Sequence, residues 1–355
     1  MKLDAALPSV PLNDVPAIAK AAEALGFDAL WTSETQHDPF LPHTLIAEHT
    51  TRLCSGTAIA VSFARSPAAI AYTAWDLAAQ SNGRFMLGLG TQVKAHIERR
   101  FGLEWPASVT GKLREQIQII RAFWDTWQND VPLNFRGEYY KITLMAPFFN
   151  PGPLPLPPSV PPISAEFRGN WGNARGVGVG VPIYIAGVNT GLAKLAGELC
   201  DGFHVHPFHT PDYLREVMLP AISAGAQQSG RKNSDVVVSV TAFAATNEHE
   251  REAARQQISF YASTPSYRPV LEMHGWVETG EKLSALAARG QWAEMPALIT
   301  DEMLATFAAL TDESDLAAAL LKRYNGIADR ITLYMPFVPG ERDGFWRGLT
   351  AEFGK

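Results

Sequence analysis

Five short segments combine strand-like runs with side chains capable of chemistry. They are residues 32–39, 58–62, 88–92, 187–191 and 204–209. Carboxylates and imidazoles can bind the polar edge of a cofactor or transfer a proton. Glycines let a ligand approach the backbone, and a helix N-terminus binds phosphate. No G-x-S-x-G motif, phosphate-loop pattern or loop cysteine accompanies them, so a cofactor site is favoured over a nucleophilic enzyme.

The first segment, residues 32–39, contains Glu34, His37 and Asp38. Glu34 or His37 could donate a proton to a substrate. The alternative is a polar cluster that only orders its own loop.

Two segments suit a flat ligand. Residues 58–62 begin with Ala58 and Ile59, and their small side chains would let a ring approach the backbone, although tight barrel packing explains them equally well. Residues 88–92 form a Gly-x-Gly run followed by Thr91 and Gln92. Val93 stands where a dinucleotide fingerprint needs its third glycine, so that fingerprint is absent.

The segment of residues 187–191 leads directly into a predicted helix. Gly187, Val188, Asn189 and Thr190 would offer backbone N–H groups and two polar side chains to a phosphate. Ordinary helix capping by Asn189 or Thr190 is the competing interpretation.

Residues 204–209 contain three histidines but no fixed carboxylate pattern. We therefore predict no metal site and assign His206 and Phe208 to a substrate pocket. Trp31, Phe40 and Phe63 also fall near predicted strand ends, so the pocket should be largely apolar.

The elements that position these segments alternate between apolar strands and amphipathic helices. Continuous apolar strands separated by helices indicate a parallel sheet covered on both faces. The predicted strands are residues 2–6, 28–31, 56–61, 84–90, 182–186, 202–205, 235–242 and 330–334. Eight such strands predict a (β/α)8 TIM barrel of the α/β class, whose functional loops follow the carboxyl ends of the strands.

Two insertions interrupt this alternation. Residues 150–180, after the fourth strand, are too rich in proline and glycine for regular structure, and residues 263–310, between strands seven and eight, have helical patches. Residues 1–355 are nevertheless expected to form one domain, because barrels tolerate long insertions. The first insertion could be a lid or an ordinary surface loop.

Composition excludes several classes of protein. The net charge is −6 and no run of lysine or arginine occurs, which argues against a nucleic-acid partner. Cys54 and Cys200 have no metal or disulfide spacing. No signal peptide or membrane-spanning run is apparent, so we expect a soluble cytoplasmic protein.

Several motifs, taken in order, resemble one known superfamily. They are GFDALW at 26–31, GTA at 56–58, GRFMLGLG at 83–90, FRGEYY at 135–140, IAG at 185–187 and DGF at 201–203. Together they resemble the bacterial-luciferase-like superfamily, and specifically its branch that depends on the deazaflavin coenzyme F420.

The resemblance implies a cofactor ring over the barrel mouth, resting on a cis peptide bond that would be Ala58–Ile59. Thr91 and Gln92 would approach the cofactor, and Gly187 to Thr190 would hold its phosphate. Glu34 or His37 would correspond to the acidic and histidine residues that this family has at its barrel mouth. One departure matters: some sugar-phosphate dehydrogenases of this family have a catalytic glutamate after the strand-four glycines, where this chain has Gln92 and Val93.

The resulting hypothesis is an F420-dependent oxidoreductase that transfers hydride to or from a small organic substrate, with His37 or Glu34, and next His206, as proton donor. An FMN-dependent monooxygenase of the same fold is the first alternative, and a barrel that binds flavin without turnover is the second. A homodimer is compatible with each of them.

Overall fold

The protein forms a closed barrel of eight parallel strands in a computed structural model, which describes residues 1–155 and 181–354. The strands are β1 Lys2–Ala6, β2 Ala29–Thr32, β3 Cys54–Thr57, β4 Phe85–Gly90, β5 Ile183–Gly187, β6 Gly202–Val205, β7 Val237–Ala245 and β8 Arg330–Pro336. Each strand pairs with the next, and β8 pairs with β1 to close the ring. The predicted TIM barrel is therefore confirmed.

Strand β3 differs from its prediction as one continuous strand over residues 56–61. The strand ends at Thr57, a cis peptide bond joins Ala58 to Ile59, and a second short strand, Ala60–Val61, pairs with the end of β4. The cis bond implied by the family resemblance is thus present. The residue types of this segment do not reveal that the strand is split.

Helices cover the outside of the barrel. The long ones are Val15–Leu25, Leu41–His49, Pro67–Gln80, Val109–Asn129, Thr190–Leu199, Glu248–Ala262, Leu316–Tyr324 and Asp343–Phe353. The helical segment after β6 is interrupted by a π-helical turn, Leu214–Met218, between Pro211–Tyr213 and Leu219–Gln228. Within the described residues, no helix is both long and apolar enough to cross a membrane.

The insertion predicted at residues 263–310 contains three helices, Arg268–Met273, Val277–Ala288 and Asp301–Phe307. It also contains a strand, Ala308–Leu310, which pairs in parallel with the end of β7 outside the barrel. The sequence pattern did not reveal this additional pairing. Most of the other predicted insertion, at residues 150–180, lies outside the described residues.

An ion pair occupies the barrel interior. The guanidinium of Arg330 donates to both carboxylate oxygens of Asp4, at 2.7 and 2.6 Å, and both side chains are buried. The indole Nε1 of Trp31 donates to the same carboxylate at 2.8 Å. Tyr184 and His204 stack beside this group with ring centroids 4.8 Å apart. The interior is therefore a filled core with polar members, as expected of an eight-stranded barrel.

Close strand packing requires a glycine at position 88. A Cβ built on Gly88 would lie 1.8 Å from the carbonyl oxygen of Thr57 and 3.1 Å from Nε2 of His204. The Thr57 hydroxyl also exchanges hydrogen bonds of 2.6 and 2.9 Å with the Gly88 backbone. No side chain can enter this contact unless β3 and β4 separate.

We expect Gly88→Ala to lower the free energy of unfolding by about 2–3 kcal/mol, because overpacking forces the two strands apart. Urea unfolding at pH 7 measures the change. Gly344→Ala is the matched control: a Cβ on this helical glycine meets open space, so the variant should be neutral or slightly more stable. Equal stability of both variants would contradict the close contact.

Candidate active site

Strand alternation determines which side chains face the barrel mouth. Arg330 points into the barrel, so Thr332 and Tyr334 on β8 also point inward, with Tyr334 nearest the carboxyl end. On β6, His204 packs against Tyr184 inside the barrel. The next inward-facing residue toward the mouth is therefore His206.

One half of the mouth has small inward-facing residues. Ala58 packs on the interior cluster of Trp31 and its neighbours, and Ala186 follows the inward-facing Tyr184 on β5. A Cβ on Gly90 would lie 2.5 Å from the Ile59 side chain. We call Ala58, Gly88, Gly90 and Ala186 the small-residue half. Gly88 and Gly90 are buried beside Thr57 and Ile59, whereas Ala58 and Ala186 are half-buried, and their small side chains leave room for a flat group at the mouth.

The loop after β2 is held by an ion pair. One carboxylate oxygen of Glu34 accepts hydrogen bonds of 2.6 Å from the Val61 backbone and from the Arg65 guanidinium. Arg65 also bonds Asp38 at 3.1 Å and lies over the ring of Phe40. Glu34 is therefore an acceptor that ties β2 to β3, a geometry that suits anchoring the loop more than donating a proton.

His37 lies on the same loop and is exposed to solvent. The loop is also fixed at Thr35, whose carbonyl oxygen accepts from Arg100 at 3.0 Å. His37 thus stands at the rim of the mouth on a tethered loop, free to meet a bound molecule. His43, in the helix Leu41–His49, is buried with its Nε2 3.0 Å from the Thr32 hydroxyl.

Two helix N-termini meet near the end of β5. Asn189 precedes the helix Thr190–Leu199, and its side chain makes no capping bond. A Cβ on Gly191, in the first turn, would lie 3.5 Å from the Thr110 side chain, in the first turn of Val109–Asn129. Asn189, Thr190 and Gly191 are exposed. The positive ends of two helix dipoles therefore lie close together, beside exposed residues.

The neighbouring residues of this loop are less accessible. Val188 is buried, and its carbonyl oxygen accepts from the Tyr213 hydroxyl at 3.1 Å. Thr91 and Gln92 end β4, and Gln92 adopts a left-handed conformation with φ of 61°. Its side chain accepts from the backbone of Val93 at 3.0 Å. In the loops after β4 and β5, a ligand would therefore contact mostly backbone groups.

His206 is a neutral hydrogen-bond donor. Its Nδ1 accepts from the backbone N–H of Phe208 at 3.1 Å, so the ring proton lies on Nε2. The rings of Tyr261 and Tyr267 pack on it at 4.7 and 4.6 Å. Burial among these rings lowers the pKa of His206 to about 3. The imidazole can therefore donate through Nε2–H without carrying a charge.

The other half of the mouth is aromatic, and we call His206, Phe243, Tyr261 and Tyr334 the aromatic half. Phe243 packs on Tyr334 with ring centroids 4.6 Å apart, and the hydroxyls of Tyr261 and Tyr334 are 2.7 Å apart. Sequence reasoning missed both tyrosines. Tyr334 ends a predicted strand and could have been found by strand alternation, whereas Tyr261 gave no signal.

The predicted pocket residues lie at different depths. Trp31 is one layer below the mouth, bonded to Asp4, and does not reach it. Phe208 is fully buried and stacks on Phe307 at 4.7 Å, behind the aromatic half. Phe63 packs on Trp105 near β3. The structure therefore does not bring all four predicted aromatic residues to one surface, because burial takes Trp31 and Phe208 away from it.

Comparisons with known proteins agree with this architecture. Residues 3–330 match the model of the luciferase-like monooxygenase family. An uncharacterized protein of Mycobacterium tuberculosis is 42% identical over 93% of this chain and 92% of its own length. The 5,10-methylenetetrahydromethanopterin reductase of Methanolobus tindarius is 27% identical over 88% of this chain and 87% of its own length.

A solved structure has the same fold over nearly the whole chain. The coenzyme F420-dependent tetrahydromethanopterin reductase of Methanopyrus kandleri superposes with a TM-score of 0.77, covers 99% of this chain and 97% of its own, and is 19% identical. The barrel, the motifs and the family match lead to one conclusion: the chain belongs to the luciferase-like monooxygenase family.

Proposed function

We propose that the protein is an F420-dependent oxidoreductase acting on a small organic substrate. The observation that carries the proposal is the meeting of two helix N-termini at Gly191 and Thr110, on the side of the barrel that also presents the small-residue half. A phosphorylated, flat cofactor needs both features. The reductases among the relatives described above support the deazaflavin over other flat cofactors.

Each residue of the site has a distinct part in this proposal. Gly187, Val188, Asn189 and Thr190 would hold the phosphate through backbone N–H groups and the two polar side chains. Ala58, Ile59, Thr91 and Gln92 would border the ring.

The deazaflavin, when bound, supplies a ring carbon that gives or accepts hydride. The protein must then position the substrate against that carbon and place a proton donor beside it. His206 would donate a hydrogen bond to the substrate through its neutral Nε2–H, and the rim residue His37 is the proposed proton donor. Glu34 keeps the loop of His37 in position through its bond to Arg65.

An FMN-dependent monooxygenase is the second candidate, because the name of the family that the chain matches includes monooxygenase activity. Both cofactors carry a phosphate that the same cradle would hold. Calorimetric titration of the purified apo-protein with each cofactor separates the two: tight F420 binding without FMN binding supports the first, and the reverse result supports the second. Binding without hydride exchange for carbonyl, alcohol or enone substrates would favour a barrel without turnover.

Thr190→Asp tests the phosphate cradle. A carboxylate within about 6 Å of a bound phosphate should weaken F420 binding by on the order of 2 kcal/mol, roughly thirtyfold in Kd. The same carboxylate in the first helical turn should keep or raise the melting temperature, because it interacts favourably with the helix dipole. Loss of affinity with unchanged stability is therefore the expected signature, measured by calorimetry and thermal unfolding.

Two controls make this test specific. Thr190→Asn has nearly the same shape as the aspartate variant without its charge, and should bind F420 within about threefold of the wild-type value. A deazaflavin lacking the phosphate and its side-chain tail should bind all three proteins equally. An aspartate variant that binds F420 as tightly as wild type would place the phosphate elsewhere.

A further inference from the structure

The phenols of Tyr261 and Tyr334 meet at the mouth although they come from different elements. Tyr261 lies in the helix Glu248–Ala262 and Tyr334 on β8, 73 residues later, and their oxygens are 2.7 Å apart. Tyr334 is 37% exposed, whereas the four preceding residues of its strand are buried. Tyr334 thus places a phenol hydroxyl at the open end of the barrel, and Tyr261 is its hydrogen-bond partner.

The surroundings of the pair determine which phenol a ligand can reach. Burial raises the pKa of the Tyr261 phenol, and a hydrogen bond with the Gln257 side chain opposes that rise. Either oxygen can donate the hydrogen bond within the pair. Tyr334 is the exposed member, so its phenol is the one that a ligand can reach. Burial also raises the pKa of Tyr334, so its phenol stays protonated at neutral pH.

The neighbours of Tyr334 are flat and uncharged. Phe243 packs against its ring at 4.6 Å, and Tyr261 packs against His206 at 4.7 Å. None of the four side chains of the aromatic half is charged at neutral pH, because burial keeps the imidazole neutral. Such a surface favours an aromatic or conjugated ligand over a charged one, and its phenol proton requires an acceptor oxygen.

We propose that Tyr334, oriented by Tyr261, binds the carbonyl oxygen of a neutral conjugated substrate whose flat face packs on the aromatic half. The inference rests on the proposed function only in that the substrate would share the mouth with the cofactor. It names a substrate class, conjugated aldehydes and ketones, and a specificity-determining residue, Tyr334. It separates this class from sugar phosphates, whose charge would find no cationic partner on the aromatic half.

The test uses the apo-protein and 4-(dimethylamino)benzaldehyde, whose absorption maximum moves to longer wavelength when its carbonyl oxygen accepts a hydrogen bond. Wild-type protein should bind the probe and shift its absorption to the red. Tyr334→Phe should lose the shift and weaken binding roughly fivefold to tenfold, the effect of one neutral hydrogen bond. Tyr261→Phe should retain a shift that is smaller than in wild type, because Tyr334 is still present but no longer oriented.

Tyr72→Phe is the matched control, since the Tyr72 hydroxyl donates to the Phe149 carbonyl at 2.6 Å on a helix outside the barrel. It should match wild type in both shift and affinity. Absence of a red shift in wild type, or an unchanged shift in Tyr334→Phe, overturns the proposal, and an unchanged shift in Tyr261→Phe overturns the orienting role. Probe binding needs no cofactor, so a protein that binds no F420 can still pass this test.

Discussion

Lowering the pH from 7 to 5 is expected to remove a large part of the stability of the protein, about 6 kcal/mol. Burial lowers the pKa of four histidines far below the ordinary value of 6.5. The values are about 3 for His43, His204 and His206 and about 4 for His209. Between pH 6.5 and these values the unfolded chain binds four protons that the folded chain does not. Folded stability is therefore complete above pH 6.5 and decreases as the pH falls.

Two buried carboxyls, Asp4 and Asp201, act in the opposite direction, because burial raises the pKa of each. Burial raises the pKa of Asp201 to about 6, so the folded state binds a proton there that the unfolded state binds only near pH 3.8. That group loses its stabilising contribution as the pH rises through 6 and regains it in acid. For the four histidines and Asp201 together, the difference is about three protons near pH 5.5, which corresponds to about 4 kcal/mol per pH unit. Typical domains have only about 5–15 kcal/mol in total.

Urea unfolding at pH 7, 6, 5.5 and 5 measures this slope. His43→Gln should make it shallower by about 1.4 kcal/mol per pH unit, because one of the four protons is removed. The amide can retain the contact with the Thr32 hydroxyl, now 3.0 Å from the imidazole. The control is His249→Gln, at an exposed helical position, which should leave the slope as in wild type. Identical slopes in all three proteins would mean that His43 does not titrate as proposed.

Replacing Arg330 by methionine should cost about 3–5 kcal/mol of folding free energy at pH 7. The substitution leaves the Asp4 carboxylate in the barrel interior without its cation, where it keeps only the indole N–H of Trp31. Burial already raises the pKa of Asp4, and the guanidinium opposes that effect. Without Arg330 the folded protein must therefore bury an unpaired charge or take up a proton. Urea unfolding of both proteins gives the difference.

A double variant separates the charge from the packing. Asp4→Asn combined with Arg330→Met removes both charges, so it should recover part of the stability lost in the single variant. Lys282→Gln breaks the exposed ion pair with Glu278, 2.7 Å long, and should produce no measurable change because water solvates both groups. A double variant as unstable as Arg330→Met alone would show that packing, and not the unpaired carboxylate, causes the loss.

The sequence by itself determined the barrel and the segments at its mouth. Apolar runs such as Phe85–Gly90 must be buried on both faces, and their alternation with amphipathic helices leaves few other architectures. The same local logic located the start of the helix Thr190–Leu199, because a strand that ends in Gly-Val-Asn-Thr continues naturally into a helix. These features depend on neighbours a few residues apart, which is the range that a sequence pattern reports.

Only the tertiary structure decided which side chains of the mouth meet. Glu34 is held by Arg65 rather than free, Trp31 bonds Asp4 one layer below the mouth, and the Tyr261 and Tyr334 phenols form a pair. Each contact joins residues 27 to 73 positions apart. Its existence depends on barrel register and on the inward or outward direction of each side chain. A register shift of one residue reverses the direction of every side chain in a strand. Because a strand buried on both faces is apolar throughout, its sequence pattern does not show which register is adopted, and the sequence alone could not determine these contacts.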